Sequence, residues 1–499
     1  MQFLKTPITR NGRSSSLILL STLLTLPCTQ ISAQEAKATL ELSPCELRLP
    51  GTGLTAPAEC GWFEVAENPD EPDGKQIKLR VARVPATSND VEPDPLLLFA
   101  GGPGQAATEA WLIVAPAFRK LTENRDVLLI DQRGTGQSNS LRCRALGLDE
   151  ALLEDWEDLK RSTQECLDDL PGDPRFYTTT IAMQDYDQVR AALGYEQLNL
   201  FGVSYGTRAA QVYLRLFPEH VRTVVLDSVV PQTLALGSEH AMKLDQALDR
   251  ILDGCEADAD CREVFPDSRE NLHRMAEAVT ENPVMLTVDH PLTGKPTQIK
   301  FDRDTLGAAI RFLSYSAETQ ALLPLLIHEA ATTGDYSRIA SQLMITATGL
   351  SESISQGLEL SVVCAEDFPR FSDSSEANQS YLLGNSMQRA SEIRCDIWPR
   401  GAVPADFNQP VESNKPVLLL SGEFDPVTPP EYADQVLQHL SNGMHLVAPG
   451  QGHSVTGKGC LGRLVSEFIV AASFSELDTI CIAQLQASPW FMSLTGPKP

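Results

Sequence analysis

Leu198-Asn199-Leu200-Phe201-Gly202-Val203-Ser204-Tyr205-Gly206-Thr207-Arg208 decides how the rest of the chain is read. It starts as a short apolar run of the strand type and opens a helix through Arg208, Ala209, Ala210 and Tyr213. Between the two stands a serine with glycine two positions to either side. A strand that turns sharply into a helix leaves room only for small residues at those two positions, and it lifts the serine to the sheet's carboxyl edge above a helix N-terminus. A bare Gly-x-Ser-x-Gly match is common by chance. The strand before this one and the helix after it give it weight.

Similar apolar runs lie on both sides. Leu96–Phe99 precedes Gly101-Gly102-Pro103-Gly104, Val127–Ile130 precedes Asp131, and Val224–Leu226 precedes Asp227. Val417–Leu420 and a weaker run at Met444–Val447 follow much later. Runs apolar on both faces, separated by helix-length segments, predict a mostly parallel sheet flanked by helices, an α/β chain. Residues 75–85 alternate instead and predict a half-exposed edge strand. The spacing breaks once. About 190 residues separate Leu226 from Val417, far more than a crossover needs. That stretch reads mostly helical, as at Ala241 to Asp253 and Asp304 to Leu326. It is expected to be a cap domain, 232–410, inserted into a core made of 34–231 and 411–499.

A serine hydroxyl is a weak nucleophile and needs a base, itself oriented by an acid. Behind an elbow of this kind the chain order is serine, acid, histidine. Asp425 follows the run at 417–420, and His453 follows the weaker run, in Gly450-Gln451-Gly452-His453. Ser204, Asp425 and His453 are therefore the candidate catalytic residues. Most loop histidines are structural, but this one is among eight and stands at the expected place. Asp227 also ends a strand and is the rival acid; its expected role is to tie down the start of the insertion. Acyl transfer also needs donors for an oxyanion. The backbone N–H groups of Tyr205 and Gly102 are the candidates. A Gly-rich turn could cradle phosphate instead, but no Lys-Ser/Thr and no Rossmann spacing follows.

The 499 residues carry a net charge of −26, which argues against nucleic acid as a partner. Lys5, Arg10 and Arg13, an apolar run to Leu26 and Ile31-Ser32-Ala33 predict a signal peptide over 1–33. The run is too short for an integral membrane segment. Cys28 would suit a lipid anchor, but Pro27 fits that processing poorly. The expected location is secreted or periplasmic. There are 11 cysteines, and loss of Cys28 leaves an even set. They fall in near pairs, Cys45 with Cys60, Cys143 with Cys166, Cys255 with Cys261, Cys364 with Cys395 and Cys460 with Cys481. Five disulfides are expected. No Cys-x-x-Cys pair or histidine cluster suggests a metal, no cofactor is expected, and nothing fixes an oligomeric state.

At these residues the chain resembles the proline iminopeptidase and tripeptidyl aminopeptidase family of α/β-hydrolases. The matching segments are Ala100-Gly101-Gly102-Pro103-Gly104, Asp131-Gln132-Arg133-Gly134-Thr135-Gly136-Gln137-Ser138, Gly202 to Arg208, and the Asp425 and His453 loops. The family usually has His where Ala100 stands, which touches no catalytic atom, since the donor there is a backbone N–H. The long cap, the leader and the cysteine pair after His453 are similar to the secreted tripeptidyl aminopeptidase branch. The resemblance is specific in the core and weak in the cap. It implies the α/β-hydrolase fold, with a large mainly helical cap domain between the sixth and seventh core strands. It also implies hydrolysis of peptides from a free N-terminus through an acyl-enzyme on Ser204. Such an enzyme needs an anion for the substrate ammonium, and family members place acidic cap residues there. Glu366 and Asp367, in Cys364-Ala365-Glu366-Asp367, are the candidates for substrate binding. Asp131 and Arg133 are expected to pin the loop beside the oxyanion turn. Two other readings stand beside this one: a carboxylesterase or lipase using the same triad, and a non-catalytic binding protein on the same scaffold.

Overall fold

The first strands of the sheet are ones the apolar runs did not announce. In the computed structural model, which describes Gly12 and residues 40–143, 156–372 and 378–497, β1 (Ser43–Arg48), β2 (Thr55–Ala66) and β3 (Gln76–Val84) pair antiparallel. The leader at 1–33, apart from Gly12, lies outside the described residues. Next come β4 (Leu96–Phe99), β5 (Val127–Ile130), β6 (Leu198–Val203) and β7 (Val221–Asp227). Every residue of β4 and β5 is buried, as strands covered by helices on both faces must be.

β3 is not an edge. The main sheet runs β1-β2-β3-β5-β4-β6-β7 and continues into two later strands. β2 pairs along the outer side of β3, from Glu59↔Arg83 to Ala66↔Gln76, and buries Ile77, Leu79, Val81 and Ala82. The alternation at 75–85 marks one solvated face, not an open edge. The β1–β2 hairpin, closed by the Cys45–Cys60 disulfide, covers the edge that would otherwise be exposed.

The long gap after β7 holds helices and one antiparallel hairpin, β8 (Val284–Asp289) with β9 (Pro296–Phe301). Its helices include His240–Ala257, Ser268–Glu281, Arg303–Leu313, Leu323–Thr333, Ser337–Ser353 and Gln356–Val362. Their apolar faces meet in a cluster of their own, with Leu244, Ile251, Met275, Phe301, Leu306, Ile310 and Leu343. The stretch 304–326 is not one helix. It breaks at Ser314–Ser316, and the freed Tyr315 carbonyl accepts the His453 N–H at 2.7 Å. The chain then re-enters the sheet as β10 (Val417–Gly422), parallel to β7, and β11 (Gly443–Ala448), parallel to β10. Counted over this sheet, the gap lies between the seventh and eighth strands, one later than expected, because the edge strand β1 adds one to the count. All five expected near-neighbour disulfides are formed.

Among the described residues no helix is long and apolar enough to cross a membrane. Among them, too, no group of three or more His, Cys, Asp and Glu side chains could hold a metal ion.

Candidate active site

β6 ends at Val203 and a helix starts at Tyr205, so Ser204 must turn the chain alone. It does so at φ 56°, ψ −125°, a conformation rare for a residue with a side chain. The flanking glycines are required by contact. A Cβ at Gly206 would overlap the Phe99 carbonyl, and one at Gly202 would overlap the Gly206 carbonyl. The Ser204 N–H bonds the Asp227 carbonyl at 2.9 Å. Tyr205 N–H lies in the first helical turn, where no intrahelical acceptor exists.

Asp425 sits just past β10 and is fully buried. Its Oδ1 accepts the N–H groups of Val427 and Thr428 at 2.8 and 2.9 Å. Its Oδ2 accepts the Thr428 hydroxyl and His453 Nδ1, both at 2.8 Å. Burial pushes the Asp425 carboxyl up, but His453 and these N–H groups outweigh it and hold it at about 2. Burial opposes the His453 imidazolium, yet Asp425 and then Asp227 win, so its pKa lies above the ordinary imidazole value; Arg311 pulls the other way. Nδ1 therefore carries a proton toward Asp425, and Nε2 is left for a substrate or the serine. The His453 ring packs edge-on to Tyr315, centroids 5.3 Å apart.

The turn Gly101–Gly104 leans on the long segment after β7. Gly102 and Gly104 have φ of 108° and 117°. A Cβ at Gly101 would press on the Gln105 side chain and the Val203 carbonyl, and one at Gly104 would overlap the Ser355 backbone. Ser355 N–H bonds the Gly104 carbonyl at 2.9 Å, and Ile354 forms a β-bridge with Gln105. Asp131 and Arg133 brace the neighbouring loop. Asp131 accepts the Thr108 N–H and hydroxyl at 3.0 and 2.9 Å, and Arg133 grips Asp185 through two bonds of 2.6 and 2.8 Å.

The two expected amine anchors are already engaged. Glu366 is buried, and its oxygens accept Thr179 N–H at 2.6 Å and the Thr179 hydroxyl at 2.8 Å. That hydroxyl also meets Tyr205 Oη at 2.7 Å, so Glu366 reaches the elbow only through Thr179 and Tyr205. Burial holds the Glu366 carboxyl up at about 7. Asp367 is spent on Arg208, at 2.8 and 3.0 Å, and on Leu236 N–H. A carboxylate that waits for an ammonium must be free of such partners, and neither is. Glu359, which sequence reasoning passed over, meets that condition. It is half-buried on the helix Gln356–Val362, and among the described residues its carboxylate takes no hydrogen bond. Burial raises its pKa against the pull of Arg394 and Arg311, and Arg311 also acts on His453. His240 was passed over as well; it is buried, with Arg311 and His453 acting on it, and among the described residues neither ring nitrogen has a hydrogen-bond partner.

Asp227 does not tie down the start of the insertion. Its carboxylate accepts Val455 N–H at 3.0 Å and Thr456 N–H and hydroxyl at 2.8 and 2.6 Å, all just past His453.

A second serine, histidine and acid share the triad's bonding order. Ser421 Oγ meets His445 Nε2 at 2.9 Å, and His445 Nδ1 meets Asp434 at 2.8 Å. Ser421 is fully buried inside β10, and no turn presents it to a substrate. These bonds tie β10, β11 and the helix Pro430–Leu437 together. Ser421→Ala is expected to keep the wild-type rate of fluorophosphonate labelling; abolished labelling would move the active site.

Comparison with known proteins agrees with this architecture. The family described as "alpha/beta hydrolase fold" matches residues 94–264, and that described as "TAP-like protein" matches 380–481. Serine protease Hip1 of Mycobacterium tuberculosis is 23% identical over 480 residues, covering 89% of this chain and 91% of that protein. Tripeptidyl aminopeptidase of Streptomyces lividans is 33% identical over 224 residues, 40% of each chain. Carboxylesterase B of M. tuberculosis is 33% identical over 204 residues, 37% of this chain and 39% of that one. With its mostly parallel sheet, its serine elbow after β6 and these two matches, the chain has the α/β-hydrolase fold, and its residues 380–481 are similar to the TAP-like family.

Proposed function

We propose that the protein is a serine peptidase that releases peptides from a free N-terminus, with Ser204 as nucleophile, His453 as base and Asp425 as orienting acid. The observation that carries the reading is the buried Asp425–His453 pair, 2.8 Å apart, whose loop is clamped through Asp227 to the strand end that presents Ser204. Ser204 Oγ attacks the scissile carbonyl as His453 Nε2 takes its proton. Asp425 stabilises the imidazolium that forms, and Tyr205 and Gly102 N–H groups receive the oxyanion. His453 returns the proton to the departing amine. Water, activated by the same base, then hydrolyses the acyl-enzyme.

The relatives named serine protease and tripeptidyl aminopeptidase support a peptidase. Residues 232–410 act as a cap that supplies the amine anchor, and the disulfides suit a secreted or periplasmic protein freed of residues 1–33. Glu359, which takes no hydrogen bond among the described residues, replaces Glu366 as the anchor. An ammonium lost from a buried carboxylate costs roughly 2–5 kcal/mol, about 30-fold or more in affinity. Glu359→Gln is therefore expected to raise KM for free-amine peptides about 30-fold or more and to leave a small amine-free ester nearly unchanged. Equal losses on both would make Glu359 structural.

The match to Carboxylesterase B favours an ester hydrolase as the second reading. An esterase would be indifferent to Glu359→Gln and to N-acetylation of the substrate.

A further inference from the structure

We propose that Asp227 is a positioning residue for the reaction, holding the nucleophile's strand end with its main chain and the base's loop with its carboxylate. The inference rests on Ser204 and His453 being nucleophile and base.

Asp227 is the last residue of β7, with β6 on one side and β10 on the other. It stands opposite Val203 and Leu420 in the sheet. Its carbonyl accepts the N–H of Ser204 itself. Its carboxylate, 1% exposed, accepts Val455 N–H, Thr456 N–H and the Thr456 hydroxyl from one short segment, and the Ser228 hydroxyl at 3.4 Å. Ser228 extends the grip by accepting Ser454 N–H at 2.8 Å. Both Ser228 and Ser454 have positive φ, 62° and 68°, without being glycine. Two loops are thus held in a sparsely populated conformation on either side of this contact, as happens where surrounding bonds over-determine the backbone. One residue therefore links the main chain of Ser204 to the loop that carries His453.

The carboxylate also acts through its charge. The groups that face His453 are Asp425 and Thr428 from the loop after β10, Asp227 from β7, Arg311 and Tyr315 from the helix Arg303–Leu313 and its end, and His240 from the helix His240–Ala257. Asp425 and Asp227 favour the imidazolium, and Arg311 opposes it. The base forms that cation in the transition state. A packing residue would not favour it, but a buried anion bonded to the main chain two residues past His453 does.

The test compares wild type, Asp227→Asn and Thr456→Val, each checked for folding by its melting transition and near-ultraviolet dichroism. Thr456→Val removes one bond and keeps the charge. It is expected to slow labelling of Ser204 by a fluorophosphonate severalfold, with the acid limb of kcat/KM in place. Asp227→Asn removes the charge and turns an amide toward N–H donors. It is expected to lower kcat on the order of 100-fold at nearly constant KM, since a small misplacement of reacting groups costs about that much. Its acid limb should move to lower pH. A folded Asp227→Asn with wild-type kcat, or one with a reduced kcat and an unmoved acid limb, overturns the proposal. If Asp227→Asn does not fold, a wild-type labelling rate in Thr456→Val overturns it. If wild type itself is not labelled at Ser204, the underlying assignment of the nucleophile fails instead.

Discussion

Ser204→Ala is expected to lower turnover on the order of a millionfold and to leave the fold intact. The size follows from what the hydroxyl does. It is the atom that forms the acyl-enzyme, so without it only substrate binding and the oxyanion donors remain, and these give a small residue of catalysis. The fold should survive because the position is held by main-chain bonds. The Ser204 N–H to Asp227, the Thr207 N–H and hydroxyl to the Ser204 carbonyl, and the glycines at 202 and 206 all remain in the alanine variant. Steady-state kinetics on purified variant and wild type would show it, with melting curves as the control. Turnover within tenfold of wild type would remove Ser204 from the chemistry.

Asp425→Asn is expected to cost about 10⁴-fold in kcat with little change in KM, because an amide favours the wrong imidazole tautomer. The local geometry sharpens the case. The Asp425 oxygens accept four donors, Val427 and Thr428 N–H, the Thr428 hydroxyl and His453 Nδ1. An asparagine oxygen can serve one side of that set, and its NH2 then faces donors on the other. The variant should also report on pH. Asp425 is the main group holding the His453 pKa above the ordinary imidazole value. A base must be neutral to act, so a raised pKa places the acid limb of the wild-type profile at higher pH. With the carboxylate gone, that limb should fall to lower pH while the plateau drops. The same comparison separates the two acids. If Asp227 were the orienting acid, Asp425→Asn would leave the plateau nearly intact.

How much of this was legible in the residues depends on how local each signal is. The elbow could be read because its requirements are contained in five positions, and the structure shows each glycine pressed against backbone. The central strands could be read because strands buried on both faces have apolar residues throughout. The cysteines paired as sequence neighbours, with partners between 6 and 31 positions apart. The edge was misread because the alternation at 75–85 records one solvated face and is silent on the pairing partner. β2 pairs along it, and no apolar run announces that strand. The amine anchor proposed here differs from the one read in sequence for a deeper reason. Whether an acid is free depends on who bonds it, and the partner of Glu366 is Thr179, 187 positions away. Glu359 carries no signature in sequence that separates it from 65 other acids. Asp227 was legible as a strand-end acid, but the loop it holds lies 228 residues further on.

The most direct test of the account is the ratio of kcat/KM for one short peptide with its N-terminus free and the same peptide N-acetylated, measured with the mature protein. The account predicts a strong preference for the free amine, about 30-fold or more, abolished in Ser204→Ala for both. Equal hydrolysis of the free and blocked peptides by the Ser204-dependent enzyme would contradict the aminopeptidase reading and leave a serine hydrolase of broader acceptance.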